Sequence, residues 1–146
     1  MNVQVKITVF NRRLGSDRRD MFFPCGVASA SYFEGKSSSH DTGGNRSEKL
    51  RYKLRIPYNA IAQDGRTYVS AAAYKLLTAD EAMRHWTIQK GDIVLTQETA
   101  LAGPIDEVAL QALIRSSCRD AITVTEYADN TIRGTDAVKH WRIGGE

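Results

Sequence analysis

Residues Val3 to Phe10 alternate, with Val3, Val5, Ile7 and Val9 on one side and Gln4, Lys6 and Thr8 on the other. Period two with β-branched residues predicts a half-buried strand. Asn11 to Asp20 is polar and basic and reads as a loop. Met21 to Phe33 is apolar, small and aromatic, and Pro24 and Gly26 near its start put the paired part at Val27 to Phe33, on an edge or beside a bulge. Leu50 to Ile56 alternates most cleanly. Leu50, Tyr52, Leu54 and Ile56 point in, Arg51, Lys53 and Arg55 point out, and Pro57 ends the strand.

Gln63-Asp64-Gly65-Arg66 has turn chemistry, and a short strand Thr67-Tyr68-Val69 follows. Ser70 to Leu77 is alanine-rich and predicts one or two helical turns. Thr78 and Glu81 form a capping-box pattern that opens a second short helix through Arg84. Trp86-Thr87-Ile88 and Ile93-Val94-Leu95 flank Gln89-Lys90-Gly91-Asp92, which reads as a β-hairpin. After Gly103-Pro104, residues Ile105, Val108, Ala109, Ala112 and Leu113 recur at helical spacing. With Asp106 and Glu107 at the start and Arg115 near the end, they predict a helix over Ile105 to Ser117. Ala121 to Tyr127 alternates again, Ala128-Asp129-Asn130 turns, and Val138 to Ile143 is a last strand before the short tail 144–146. Helices set between antiparallel strands predict an α+β fold, mainly antiparallel β. The expected form is one domain over 1–146, a small β-barrel or sandwich with one longer helix, one or two short ones and a long polar loop.

That loop is Gly35 to Lys49, which contains no apolar residue although the chain on both sides is strand-like. It has nothing to bury, so it is expected to be flexible and to be ordered by something outside the chain.

Charge sharpens this picture. The net charge is +3, yet Met1 to Ile56 holds 11 Lys or Arg against 5 Asp or Glu, and Pro57 to Glu146 holds 9 against 12. Such asymmetry suggests one face that meets anions, set against the plainer reading that Arg51, Lys53 and Arg55 are the wet side of a strand. No apolar run approaches the ~20 residues of a membrane span. The alternating N-terminus does not read as a signal peptide, and a cytoplasm-like compartment of synthesis is expected. Cys25 and Cys118 have no motif spacing, and a chain of 146 residues can keep them as buried thiols.

Catalytic patterns are hard to find. Thr42-Gly43-Gly44-Asn45 lacks the spacing of a phosphate-binding loop. His40, His85 and His140 are scattered, without ligand-spaced partners for zinc. Ser37-Ser38-Ser39-His40-Asp41 holds the residue types of a triad, but adjacent positions cannot take triad geometry. A Cys25–His dyad stays open as a reading, set against a buried thiol and a packed imidazole. Tyr52, Tyr68, Trp86 and Trp141 read as core or interface aromatics before base-stacking platforms. Neither an enzyme nor a cofactor or metal is expected.

The segments Ile7-Thr8-Val9-Phe10-Asn11-Arg12, Leu54-Arg55-Ile56-Pro57, Gly91-Asp92-Ile93-Val94 and His140-Trp141-Arg142-Ile143-Gly144-Gly145 together resemble a family of small virion proteins of tailed bacteriophages and prophages of Gram-positive bacteria. More broadly, the chain looks like head-completion or stopper proteins of the head–tail connector. The resemblance implies a small β-barrel in a homo-oligomeric ring, sixfold or twelvefold. That ring would extend or close the DNA channel of the neck, between portal or adaptor and tail proteins. Packaged double-stranded DNA would pass through it non-specifically, and the place would be the virion rather than a membrane. It further implies a channel or partner loop at Lys36, Ser37, Ser38, Ser39, His40, Arg46 and Lys49. Arg51, Lys53 and Arg55 would lie on a subunit-interface strand, with C-terminal docking through Trp141 and Arg142. A tail terminator or other connector ring is the alternative within this class. The alternative of another class is a basic nucleic-acid-binding module.

Overall fold

In the computed structural model the backbone is described for residues 3–15, 18–40, 46–57, 60–99, 101, 103–117, 121–130 and 140–145, and side chains for those residues other than 3–5, 29, 32–40, 46–51, 129–130 and 140. The chain forms β1 (Val3–Leu14), β2 (Asp20–His40), β3 (Arg46–Pro57), a 3-10 turn (Gln63–Gly65) and β4 (Thr67–Tyr68). Then follow α1 (Ala71–Lys75), α2 (Ala79–Ala82), β5 (His85–Trp86), β6 (Ile93–Leu95), β7 (Ile105–Asp106), α3 (Glu107–Ser116), β8 (Ala121–Asn130) and β9 (His140–Gly145).

The fold is α+β with a curled antiparallel sheet. Its ladders run β1-β6-β8-β9-β3-β2, and β2 pairs back onto β1. That return closes the sheet into a small barrel. Closure is narrow: among the described residues β2 pairs with β1 and β3 alike at Ser31 and Tyr32 alone. The interior is filled by Ile7, Val9, Cys25, Val27, Leu54, Ile56, Val94, Ile122, Val124 and Ile143. Tyr68, Trp86 and Trp141 join it as an aromatic cluster with ring centroids 4.6–5.2 Å apart. Each such large side chain removed from water contributes about 1.5–3 kcal/mol.

Lys6 is exposed, as the alternation predicts, but over Ile7–Asn11 β1 is buried on both faces. Phe10, on the face opposite Ile7 and Val9, packs with Phe22, Leu95 and Leu110 under α3. Thr8 is fully buried and donates its hydroxyl to the Gln97 carbonyl at 2.7 Å. β1 also runs on through Leu14, and β2 is paired from Asp20 onward, so half of the expected Asn11–Asp20 loop is a hairpin stem. Pro24 sits inside this ladder opposite Phe10.

Four other expectations are corrected. Trp86 and Ile93 do not begin the two arms of one hairpin. His85–Trp86 pairs in parallel with Thr67–Tyr68, whereas β6 pairs with β1 and β8. Ile105 and Asp106 are not helical. They pair with Met21 and Phe22, and the Asp106 side chain accepts from the Ala109 N–H at 2.8 Å to cap α3. Within α3, Leu110 is fully buried and Val108 is 76% exposed, so the apolar face is Leu110, Leu113 and Ile114. β8 continues through Asn130 opposite His140, where the sequence suggests a turn.

The short helices form as expected. Ser70 caps α1 by accepting from the Ala73 N–H, and Thr78 and Glu81 complete both halves of a capping box at α2. Phe23, the next residue along the interior row that contains Cys25 and Val27, packs with Tyr74 and Ala82 and so ties the two helices to β2.

The polar tract differs most from its expectation. β2 and β3 stay in register from Gly35 opposite Arg51 to His40 opposite Arg46. Thus only residues 41–45 of the expected loop lie outside the described ones. Backbone ladder bonds need no apolar side chain, which is why composition hides them.

Candidate functional site

Asn11 continues the interior row Ile7, Val9 but is polar, and it is 1% exposed. A buried amide is costly unless its donors and acceptors are matched. Here the match is complete on both sides. Asn11 Nδ2 donates to the Thr87 carbonyl at 2.7 Å and to Asp92 Oδ2 at 2.8 Å, and its Oδ1 accepts from the Thr87 N–H at 3.1 Å. Asp92, fully buried, also accepts from the Arg12 N–H at 2.9 Å and the Gln89 N–H at 3.1 Å. Burial pushes the Asp92 carboxyl up to about 6, against the pull of these donors. The Asp92 backbone reaches the other way, its carbonyl accepting from the Val124 N–H at 2.9 Å. This polar knot ties β1, the 87–92 segment and β8 together.

Outside the knot lies an open cleft of about 770 Å³, with Arg12, Arg13, Tyr74, Lys75, Lys90 and Tyr127 in its walls. Arg13 is occupied. It donates to the Tyr74 carbonyl at 2.6 Å and the Leu77 carbonyl at 2.5 Å, capping the end of α1, and its guanidinium lies 5.0 Å from the Tyr74 ring centre. Burial holds the Tyr74 phenol well above its usual range, so it stays protonated. Gly91 has φ +88°, and a Cβ there would sit 3.1 Å from Arg12 Nη2, so the bare turn lets the Arg12 guanidinium lie against it.

The residues singled out by sequence divide three ways. Arg55 and Lys53 are exposed, as expected of an outward face, but β3 is not an edge. β2 pairs with it on one side and β9 on the other, so over Tyr52–Arg55 its backbone is taken on both edges. Arg142 is exposed and stands directly opposite Arg55 in the β3–β9 ladder. Two cations expected in different roles therefore share one surface. Trp141, expected to dock a partner, is instead 6% exposed and packed in the core. For Lys36, Ser37, Ser38, Ser39, His40, Arg46, Lys49 and Arg51 the described backbone lies on the two paired strands, and their side chains lie outside the described residues.

The β2–β3 pair runs past its neighbours. β1 pairs with β2 only as far as Tyr32, and β9 pairs with β3 only from Tyr52. Among the described residues, nothing pairs with the outer edges of 33–40 or 46–51. At ~3.4 Å per residue this two-stranded arm is roughly 25 Å long.

Cys25 is a free, buried thiol whose pKa is raised by burial and opposed by Arg66; the other groups acting on it are Gln63 and Asp64. The His85 Nδ1 lies 3.3 Å from the Thr67 carbonyl, and Cys118 and the His140 side chain lie outside the described residues. Among the described residues no group of three or more His, Cys, Asp or Glu could hold a metal ion, and no helix is long and apolar enough to cross a membrane.

Geometry also accounts for the sequence motifs. Phe10-Asn11-Arg12 and Gly91-Asp92 meet in the polar knot, and Arg55-Ile56-Pro57 pairs with His140-Trp141-Arg142. At Gly145 a Cβ would collide with the Thr123 carbonyl and the Ile122 side chain of β8. None of this internal logic was visible from spacing, because each meeting joins distant segments. No curated protein and no solved structure matches the chain. A family model does match, over residues 3–146, and the chain belongs to that family, the Family of unknown function DUF6751.

Proposed function

We propose that this protein is a structural assembly subunit, and specifically a ring-forming component of the neck of a tailed phage or prophage particle. The observation that carries the reading is the arm. A two-stranded ribbon is at best marginally stable alone in water, and this one has no apolar residue from Gly35 to Lys49. Its outer edges carry backbone donors and acceptors that suit strand addition from a neighbouring chain. The barrel is then the rigid base, and the arm is the part completed by assembly. The family resemblance carried by the sequence motifs supports the neck, where the arm would reach the channel or the adjacent ring.

A reading of another class, a nucleic-acid-binding module, is favoured by one observation. Arg55 and Arg142 face each other across β3 and β9, and like charges directly opposite are unfavourable until an anion joins them. In a neck ring the same surface would meet sliding DNA through its phosphates, without sequence readout.

The deciding experiment is the mass of the purified protein, alone and mixed with the portal and tail proteins of the same genome, by light scattering and electron microscopy. A closed ring, alone or on the portal, is expected. A monomer that joins neither portal nor tail proteins at high concentration would rule the reading out. Steeply salt-dependent DNA binding by such a monomer would favour the module instead.

A further inference from the structure

We propose that the cleft beside the Lys90–Gly91 turn is a binding site for a chain of phosphates, held by Arg12, Lys75 and Lys90. This goes beyond the assembly reading and rests on different residues. All three side chains are exposed and line the same cleft. The Arg12 guanidinium lies over Gly91, where a Cβ would come within 3.1–3.4 Å of it, so it sits beside the turn that carries Lys90.

The charges there are not balanced by pairing. The Lys6–Glu98 ion pair lies elsewhere on the surface, and among the described residues neither an ion pair nor a hydrogen bond holds the Arg12 guanidinium, Lys75 or Lys90. Two carboxylates also line the cleft, Asp20 and Asp92. Asp92 is fully buried and already accepts from Asn11, Arg12 N–H and Gln89. Arg13 adds a fixed fourth positive charge, already bound to carbonyls. The positive potential of such a concave site favours an anion with several charges over a single one.

Size and rim narrow the ligand. About 770 Å³ is too roomy for one phosphate and suits a short phosphate chain with a ring attached. Tyr127 is 40% exposed and Leu14 69% exposed at the same cleft, an apolar rim on which a base can stack. The phosphates could belong to a nucleoside triphosphate or to a nucleic-acid backbone, and both would use the same cations.

Calorimetric titration of the full chain with inorganic tripolyphosphate, ATP and a twelve-residue oligothymidylate separates these sources. Saturable binding of tripolyphosphate is expected, weakened at least roughly tenfold in the Lys75→Ala/Lys90→Ala double variant. Both positions are exposed, and circular dichroism checks that the variant is folded. If ATP binds more tightly than tripolyphosphate and Tyr127→Ala removes the difference, the ligand is a nucleotide. If the oligonucleotide is tightest and is lost in the double variant, the source is a nucleic-acid strand. The proposal is overturned by no saturable binding of tripolyphosphate, or by binding that the double variant leaves unchanged. Oligonucleotide binding that survives the double variant, without tripolyphosphate binding, likewise overturns it and directs attention to Arg55 and Arg142.

Discussion

Asn11 and Asp92, separated by 81 positions, meet side chain to side chain at 2.8 Å in the interior of the molecule. The contact is one bond of a knot in which Asn11 also pairs with both backbone groups of Thr87. Asn11→Ala therefore strands a buried N–H and a buried carbonyl as well as weakening Asp92. Each unsatisfied group costs about 1–3 kcal/mol, so a loss of roughly 3–5 kcal/mol is expected in urea unfolding. Gln89 contacts Asp92 through its side chain at a longer 3.2 Å, and Gln89→Ala should cost only about 1 kcal/mol. Equal costs for the two variants would mean that the knot is not centred on Asn11.

Asp92 also sets a pH dependence. Its carboxyl is raised by burial to about 6, above the ~3.9 of an unfolded chain. Between those values the native state holds the proton more firmly than the unfolded state does. This contribution therefore favours folding fully below about pH 4, and it is lost as pH rises through 6. The difference is about 3 kcal/mol. Glu81 acts oppositely, its pKa lowered by the Thr78 backbone N–H and hydroxyl, but it lies at the surface and its effect falls at more acidic pH. Unfolding midpoints measured from pH 4 to 8 should fall through this window in the wild type and run flatter in Asp92→Asn. An Asp92→Asn variant with the full slope would assign the effect to another group.

The parts of the fold legible in the sequence are those specified locally. The Thr78–Glu81 capping box is a contact between residues three apart, and the inward row Tyr52, Leu54, Ile56 follows from strand period alone. The face of α3 was misread because two sets of residues share helical spacing. Leu110, Leu113 and Ile114 win over Val108, Ala109 and Ala112 because they bury more apolar area. The Asn11–Asp92 knot was illegible because a polar residue gives no sign of its burial until the distant partner is known. The Arg55–Arg142 pair was half legible. Both cations were singled out, but their meeting depends on β9 returning beside β3.

Gly144 and Gly145 look equivalent in sequence and should behave differently. A Cβ on Gly145 meets the Thr123 backbone carbonyl and Ile122, neither of which can withdraw without moving β8. A Cβ on Gly144 meets the Glu126 side chain, with Oε1 at 2.5 Å, and Glu126 is an exposed side chain that can rotate away. Gly145→Ala is expected to cost at least about 3 kcal/mol and Gly144→Ala less than about 1 kcal/mol, read from thermal unfolding. The reverse order would contradict the β8–β9 register.

Removing the arm should separate folding from assembly. Gly35 pairs with Arg51, and joining the strands just beyond that pair by an Asn-Gly turn in place of 36–50 keeps the ladder in register. The barrel core lies in Ile7, Val27, Leu54, Ile122 and Ile143, none of them in the excised segment. Shorter loops also close at lower entropic cost, by only about 0.6 kcal/mol per halving. The unfolding midpoint should therefore shift by no more than a few degrees. If the arm's outer edges pair between subunits, the shortened chain should instead run as a monomer in light scattering and fail to decorate portal rings in electron micrographs. Unfolding of the shortened chain would make the arm part of the barrel's own stability. An intact ring would locate the subunit contact elsewhere, on the barrel wall.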